Sequence, residues 1–326
     1  MGSLQRPVGA AARGGLPWGA ELVRRMRSAT VLALIAMGLW GLAYVPSAWL
    51  LDTWPALTAA GARLTLAGVL LLAVLAASGN GLRPGAGVVA VLWIALMQTT
   101  LFYGATFLGI ESEGAGIAAV LVNTDPLFVA VLGVLFLGDR LVPAQWIGLA
   151  VGFVGMAFVA WEGPLWPPAI GLGALILLGG ALAWSIGTVT AAKVMRGRGV
   201  PLAIAGWQMA AGGVLLIVIG TIAESPPSAT GARELGLIVL LAAMGSAVPL
   251  GLFYLALNRA PAAIVSAWFF LIPVIGVFSA WPILGEEPTP SLWVGLVGIC
   301  VGLLFVMVPD ALTVAHRLVR GQTVGR

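Results

Sequence analysis

The chain contains two similar segments of 34 residues: residues 126–159 match residues 273–306, which lie 147 positions later. Pro126 matches Pro273. The loop that follows the shared Leu-Gly pair carries Asp139-Arg140 in the first copy and Glu286-Glu287 in the second. An apolar segment duplicated with a changed loop charge predicts an inverted repeat, an architecture that belongs chiefly to secondary transporters.

The composition predicts an integral membrane protein. The chain is 60% hydrophobic and only 9% charged, whereas soluble proteins carry about 25% charged residues. It has one cysteine, Cys300, and one histidine, His316, so an intrachain disulfide is excluded and there is almost no material for a transition-metal site. We expect no metal, no cofactor and no catalytic residues.

Ten segments are long and apolar enough to be read as membrane spans, since a helical span needs about 20 mostly apolar residues. The expected fold is all-α and integral to the membrane, with ten transmembrane helices arranged as two inverted five-helix repeats. The predicted spans are residues 29–51, 55–78, 86–109, 114–137, 143–161, 168–193, 201–222, 233–257, 261–284 and 289–309.

The distribution of basic residues predicts the orientation. With a cytoplasmic N-terminus, 14 of the 16 Lys and Arg residues face inward, Arg233 faces outward and Arg63 lies within a span; this agrees with the positive-inside rule. An even number of spans then places both termini in the cytoplasm. The basic residues are scattered over short loops and tails, so the pI near 10 does not indicate a nucleic-acid partner. The expected partner is the lipid bilayer.

The repeat divides the chain into two halves. Five spans lie within one repeat offset, and an odd number makes the halves insert in opposite orientations. The predicted units are a cytoplasmic N-terminal tail 1–28, a first repeat 29–161, a second repeat 162–309 and a cytoplasmic C-terminal tail 310–326. Weaker matches elsewhere support duplication of whole halves: Trp40 with Trp184, Gly68 with Gly213, and Leu101-Phe102-Tyr103 with Leu252-Phe253-Tyr254.

Three pairs of motifs occur at corresponding places in the two halves. They are the Leu-Gly-Asp-Arg and Leu-Gly-Glu-Glu loops, the prolines in spans 4 and 9, and the Trp-Ile-Gly and Trp-Val-Gly sequences that open spans 5 and 10. In these motifs the chain resembles the EamA-type drug/metabolite transporter superfamily. The resemblance covers about residues 30–308. It implies ten helices around a central cavity lined mainly by helices 1, 3, 4, 6, 8 and 9. It also implies export of amino acids or other small metabolites across the bacterial inner (plasma) membrane.

The polar sequence Asn123-Thr124-Asp125-Pro126 lies midway along span 4. Asp-Pro is typical of an N-cap followed by a proline in the first turn, so the helix is expected to break and restart here. In the functional interpretation, Asn123 and Thr124 bind substrate, and Asp125 binds an amine or a proton. In the structural interpretation, Asp125 is a helix cap or an ion-pair partner of Arg63.

Span 2 carries Arg63, and span 3 contributes Gln98, Thr99 and Tyr103. Arg63 either binds a substrate carboxylate or holds helix 2 against a neighbour, and the resemblance favours the structural or coupling role because helix 2 is not a main cavity wall in the family. Thr99 and Tyr103 are four residues apart and share a helix face. Packing remains an alternative for both.

Aromatic residues form the other candidate set. Where span 4 has Asn123-Thr124-Asp125, the aligned part of span 9 has Phe270-Leu271-Ile272. One half thus supplies polar groups where the other supplies rings and aliphatic side chains, which suits an amphiphilic substrate; packing against lipid or core is the alternative. The aromatic substrate-binding candidates are Trp40, Tyr44, Trp184, Trp268 and Phe269, with Pro126 and Pro273 in structural roles.

Glycine pairs at four-residue spacing, Gly148/Gly152 and Gly298/Gly302, predict close packing of helices 5 and 10. Contact between two copies of the chain is the alternative use of these faces, so both a monomer and a homodimer stay open.

The favoured function is secondary transport of a small molecule, with amino acids as the first candidates. A phosphate-binding Gly-rich loop with lysine is missing from the sequence, so direct use of ATP is not expected. The driving force is either the proton gradient through Asp125 or the substrate gradient alone. Sugars, nucleosides and drugs stay open as substrates. A channel and an integral membrane enzyme acting on lipids are the alternatives in other classes.

Overall fold

A computed structural model describes residues 18–113, 115–160, 171–197, 199–284 and 290–319. Within these ranges the regular secondary structure is entirely helical. The long helical segments, numbered in chain order, are α1 (18–51), α2 (Ala56–Ala77), α3 (88–113), α4 (115–137), α5 (Pro143–Ala160), α6 (Leu172–Gly197), α7 (Pro201–Ala223), α8 (Ala232–Leu257), α9 (262–284) and α10 (Pro290–Val319).

The described residues contain nine helices that are long and apolar enough to cross a membrane. They correspond to nine of the ten predicted spans. The remaining segment, α5, contains a shorter apolar stretch, Pro143–Val159, so the tenth span stays a prediction. The reversed charge of the Glu286-Glu287 loop lies outside the described residues.

Helices α1 and α10 extend beyond the predicted limits of the tails. Helix α1 begins at Trp18 and α10 ends at Val319, whereas tails were predicted for residues 1–28 and 310–326. Residues 20–28 and 310–319 contain neither glycine nor proline, so nothing in their sequence stops a helix that has already formed. Parts of the predicted tails are therefore helical, and the predicted ends of the membrane spans within these helices stay a prediction.

Four interruptions within the helices are explained by proline. A proline cannot donate a hydrogen bond to the carbonyl four residues earlier. Pro46 follows the turn at Ala43 in α1, and Pro126 follows the turn at residues 123–124 in α4. Pro249 follows the π-helical stretch Ala243–Ala247 in α8. Pro273 follows the 3₁₀ turn Trp268–Phe270 in α9. The predicted break at Asn123-Thr124 is confirmed.

Helices α2 and α7 pack so closely that their backbones touch. A Cβ atom on Gly68 would lie 2.5 Å from the Ala210 backbone nitrogen, and a Cβ atom on Gly213 would lie 2.5 Å from the Thr65 backbone nitrogen. These two contacts are reciprocal, because Gly213 and Ala210 each lie 145 positions after Gly68 and Thr65. Reciprocal contacts of this kind are what a local two-fold axis produces.

Helices α5 and α10 repeat the arrangement elsewhere. A Cβ atom on Gly148 would lie 2.6 Å from the Gly302 carbonyl oxygen, and one on Gly295 would lie 2.5 Å from the Gly155 carbonyl oxygen. These positions again correspond across the 147-residue offset. The predicted close packing of helices 5 and 10 is therefore confirmed, and these glycine faces are covered within one chain.

We expect Gly68→Ala to destabilise the protein, because the added methyl group meets backbone atoms that cannot move aside. Overpacking of this kind costs about 1–3 kcal/mol. Gly179→Ala is the matched control, since a Cβ atom there has no atom within 4 Å. The midpoint of thermal unfolding in detergent should fall for Gly68→Ala and stay level or rise for Gly179→Ala. Equal midpoints for the two variants would refute this packing argument.

Candidate functional site

A small cavity lies among the middle portions of the helices, with a volume of about 10 Å³. We call it the central cavity. Pockets for drug-sized ligands measure about 300–1,000 Å³, so the central cavity is closed in this conformation. A substrate can enter only if the surrounding helices move apart. The lining residues are Trp40, Leu64, Gln98, Thr99, Tyr103, Trp184, Gln208, Met209, Ser246 and Leu250.

Aromatic rings close one side of the central cavity. The ring of Trp40 stacks on Phe269 at 5.4 Å between centroids and meets Trp184 edge-on at 6.1 Å. Phe253 meets Phe269 edge-on at 5.1 Å, and Phe102 lies 4.8 Å from Trp184. Offset and edge-on pairs at these distances are favourable. The cluster joins α1, α3, α6, α8 and α9.

Gln98 is the centre of a buried hydrogen-bond network. Its Nε2 donates to Thr188 Oγ1 of α6 at 2.8 Å, and its Oε1 accepts a hydrogen bond from the Tyr254 hydroxyl of α8. The side chain is fully buried and lies in the π-helical stretch Ala95–Leu101. Single π-helical turns are frequent at functional sites. Gln98 therefore holds α3, α6 and α8 together beside the cavity.

A second polar contact joins α3 to α7. Thr99 Oγ1 donates to Gln208 Oε1 at 2.6 Å, and both side chains are buried. Two further polar atoms on the cavity lining, Trp184 Nε1 and Ser246 Oγ, have no hydrogen-bond partner. Buried polar atoms without partners are uncommon, so these two are available to a ligand.

The walls of the central cavity differ from those implied by the resemblance. Leu64 of α2 and Gln208 of α7 line it, whereas no residue of α4 or α9 does so in the described part of the chain. The physical reason is the close backbone packing of α2 against α7, which brings one face of each helix to the centre.

Five of the predicted aromatic and span-3 candidates line the central cavity: Trp40, Gln98, Thr99, Tyr103 and Trp184. Phe269 lies one ring further out, stacked on Trp40. Trp268 is half-buried and packs between two apolar clusters. Tyr44 is 50% exposed. Neither Trp268 nor Tyr44 lines this cavity.

The polar turn of α4 lies outside the cavity lining. Asn123, Thr124 and Asp125 are all buried. Thr124, not Asp125, occupies the N-cap position, and its hydroxyl donates locally to the Leu121 carbonyl at 2.7 Å. Asp125 begins the second helical segment, so its predicted capping role is wrong. Its backbone carbonyl accepts a hydrogen bond from Ser185 of α6 at 3.1 Å, while its side-chain Oδ2 has no partner.

The predicted alternative of an ion pair between Arg63 and Asp125 is not formed. Arg63 donates instead to Ser47 Oγ at 3.3 Å and to the Tyr103 hydroxyl at 3.1 Å. In the described residues, ion pairs are Arg196 with Asp139 at 2.6 Å and Arg233 with Glu234 at 3.8 Å. Both lie at helix ends.

Sequence reasoning missed part of the cavity lining. Gln208 is not among the candidates that the sequence analysis names, although a lone amide in an apolar span is itself a signal. Tyr254 was used only as a marker of the repeat, although it reaches Gln98. Ser246 carries no signal in sequence, because small polar residues are ordinary in membrane helices.

These features define a multi-span membrane protein with a closed internal site between its helices. The model of the EamA-like transporter family matches residues 27–161 and matches again over residues 171–308. The chain therefore belongs to the EamA-like transporter family.

Relatives agree with this assignment. An uncharacterized transporter, YvbV, from Bacillus subtilis is 30% identical over 289 residues, with 86% of this chain and 92% of that protein covered. The uncharacterized inner membrane transporter YedA of Escherichia coli is 28% identical, with coverage of 79% and 83%. A riboflavin transporter of Rhizobium johnstonii is 33% identical, with coverage of 61% and 66%.

A solved crystal structure shares the fold. It superposes with a TM-score of 0.75 at 19% sequence identity, and the match covers 86% of this chain and 98% of the other. The fold is therefore not peculiar to this chain.

We expect Gln98 and Tyr254 to be energetically coupled. Gln98→Leu leaves two buried hydroxyls without partners, and an unsatisfied buried polar group costs about 1–3 kcal/mol. Adding Tyr254→Phe removes one of these orphans, so the double variant should lose less stability than the sum of the single losses. Thermal unfolding in detergent measures all four proteins.

Thr190→Val is the control for the Gln98–Tyr254 cycle, because the Thr190 hydroxyl donates only within its own helix, to Ile186. Its effect should be small. Additive losses for Gln98→Leu and Tyr254→Phe would contradict the network.

Proposed function

We propose that this chain is a secondary transporter that exports small amphiphilic metabolites, aromatic or other apolar amino acids first among them. It works by alternating access through the central cavity. The observation that carries the proposal is the composition of that cavity: buried amides and hydroxyls line it together with the aromatic rings of Trp40, Tyr103 and Trp184. Membership of a transporter family gives the general class.

In this proposal, two inverted halves of five helices each, residues 29–161 and 162–309, move relative to each other and so expose the cavity to one side of the membrane at a time. Two observations support this arrangement. The family model matches the chain twice, once in each half. The contacts of α2 with α7 and of α5 with α10 are reciprocal at the repeat offsets. Trp40 and Trp184, which correspond in the two halves, also meet each other beside the cavity.

The transporter lies in the bacterial inner membrane, as the name of its Escherichia coli relative says of that protein, with both termini in the cytoplasm. The basic residues support this orientation through the positive-inside rule.

The cavity lining supports this substrate class. Trp184 Nε1 and Ser246 Oγ lack partners, so they can bind a polar group, while the rings of Trp40 and Trp184 can contact an apolar body. Recognition of this kind needs few polar groups within a mostly apolar pocket. A larger heteroaromatic substrate is the second candidate, because the Rhizobium johnstonii relative is named a riboflavin transporter.

A proton is the candidate coupling ion. Among the described carboxyl groups, Asp125 is the one that lies in the middle of an apolar span, where it is 4% exposed and its Oδ2 has no partner. Ionisable residues inside the membrane are costly and mark transport pathways and proton relays. The Asp125 backbone carbonyl accepts a hydrogen bond from Ser185 of α6, so Asp125 lies directly against a helix that lines the cavity.

The test of the carrier function is counterflow in proteoliposomes loaded with unlabelled phenylalanine. We expect external labelled phenylalanine to accumulate transiently and saturably above its equilibrium level. If riboflavin competes for transport and other amino acids do not, the substrate is the heteroaromatic candidate rather than an amino acid. Passive equilibration without transient accumulation would contradict a carrier and favour a channel.

Asp125→Asn should separate exchange from proton coupling. Because the amide cannot carry the exchanged proton, we expect transport driven by a pH gradient to be lost while counterflow persists. Asp52→Asn is the control, since Asp52 is exposed and lies just outside α1. Gradient-driven transport that is unchanged in Asp125→Asn would remove Asp125 from the coupling role.

A further inference from the structure

Arg63 places a positive charge inside an apolar helix. It lies in α2, roughly 10 Å from the helix start at Ala56, given a rise of 1.5 Å per residue. The surrounding window of α2 is a candidate membrane span with a mean hydropathy of 2.0. Arginine is fully charged at any physiological pH, so the position carries a permanent cation within the membrane.

The partners of this cation are all neutral. The two terminal guanidinium nitrogens donate to Ser47 Oγ and to the Tyr103 hydroxyl, and the guanidinium carbon lies 5.4 Å from the centre of the Tyr103 ring. The third nitrogen, Nε, is buried and has no partner. Across the described residues, no carboxylate lies within ion-pair distance of Arg63.

Neutral hydroxyls do not offset a buried charge. A charged group removed from water is costly unless it is paired and hydrogen-bonded, and charged residues within membrane helices almost always pair with one another, with backbone carbonyls or with water. Arg63 keeps an unused donor and an unneutralised charge. It therefore has the electrostatic properties of a receptor for an anion.

Arg63 also contacts the wall of the central cavity. It donates a hydrogen bond to the hydroxyl of Tyr103, and Tyr103 lines the cavity. The neighbouring residue Leu64 lines it as well. Hydroxyls of Ser47 and Tyr103 thus hold the guanidinium next to the cavity.

We propose that Arg63 binds the carboxylate of the transported molecule, with Tyr103 and Ser47 as supporting hydrogen-bond partners. The apolar body of the substrate then lies among the rings of Trp40 and Trp184. This inference rests on the proposed function and narrows its substrate class to aromatic carboxylates. A single cation suits a monoanion, and the planar fork of arginine matches the two oxygens of a carboxylate.

The same arrangement disfavours cationic substrates. Among the described residues, no acidic side chain lines the central cavity. An ammonium group would therefore meet only neutral amides, hydroxyls and ring faces there, near the positive charge of Arg63. Cationic drugs and polyamines are therefore poor substrates for this site.

The test compares three probes of similar size: 3-phenylpropionate, its neutral amide 3-phenylpropanamide, and the cation phenethylamine. Quenching of tryptophan fluorescence in the purified full-length protein reports binding, because Trp40 and Trp184 line the cavity. We expect 3-phenylpropionate to bind at least about tenfold more tightly than the amide, because only the carboxylate forms a charge-assisted hydrogen bond with Arg63. Phenethylamine should bind most weakly.

Arg63→Gln should abolish this preference while leaving the affinity for the amide within about twofold of the original. Arg63→Lys, which keeps the charge and loses the planar fork, should retain part of it. Arg233→Gln is the control that removes one positive charge from an exposed position outside the cavity; it should keep the full preference.

A wild-type protein that binds the carboxylate and the amide equally would overturn the proposal, even if Arg63→Gln did not fold. So would a preference that survives in Arg63→Gln. Failure of the proposed function is distinguishable from failure of this inference. Carboxylate-selective binding without phenylalanine counterflow keeps the anion site and removes the amino-acid assignment. Phenylalanine counterflow without carboxylate selectivity keeps the amino-acid assignment and removes the anion site at Arg63.

Discussion

Direct backbone contact between corresponding helices is the constraint on which the rest of this structure depends. Lipid is as apolar as the helices themselves, so association in a bilayer relies on close packing rather than on burial from water. Glycines provide that contact between α2 and α7 and between α5 and α10. At one end of α2, the Glu224 carboxylate of the α7 terminus accepts hydrogen bonds from the Leu57 and Thr58 amides. Within the described residues, α2 and α7 run without a break, whereas interruptions fall in α1, α3, α4, α8 and α9.

The polar residues on these two closely packed helices, α2 and α7, differ at corresponding positions. Counted at the offset that relates Gly68 to Gly213, the position of α7 that corresponds to Arg63 is Gln208. Both residues donate to or accept from α3: Arg63 contacts Tyr103, and Gln208 contacts Thr99. A shared scaffold position thus holds a cation in one half and a neutral amide in the other. In the proposed inverted repeat, this position is where the two halves differ in charge.

Much of the framework could be predicted from the sequence, because hydropathy gives helix positions directly and proline accounts for the breaks that follow Leu42, Val122 and Ala267. The inward face of each helix could not be predicted in the same way. Apolar residues face lipid and core alike, so the pattern that marks a buried face in a soluble protein is lost. The sequence therefore does not indicate that Gln208 lines the central cavity while Trp268 does not. The π-helical stretch around Gln98 contains no proline that would indicate it in the sequence. Its geometry depends on contacts with α6 and α8.

The network around Gln98 also bears on how a substrate opens the closed cavity. Separation of α3 from α8 must break the hydrogen bond between Gln98 and Tyr254, and a buried polar group left without a partner costs about 1–3 kcal/mol. A ligand can shift a conformational equilibrium only by as much as it prefers one state over the other. A substrate with a polar head replaces the broken hydrogen bond and so gains a preference for the open state, whereas a purely apolar molecule of the same size does not. In the proposed transport cycle, Gln98, which joins the helices in the closed state, thereby also favours amphiphilic substrates.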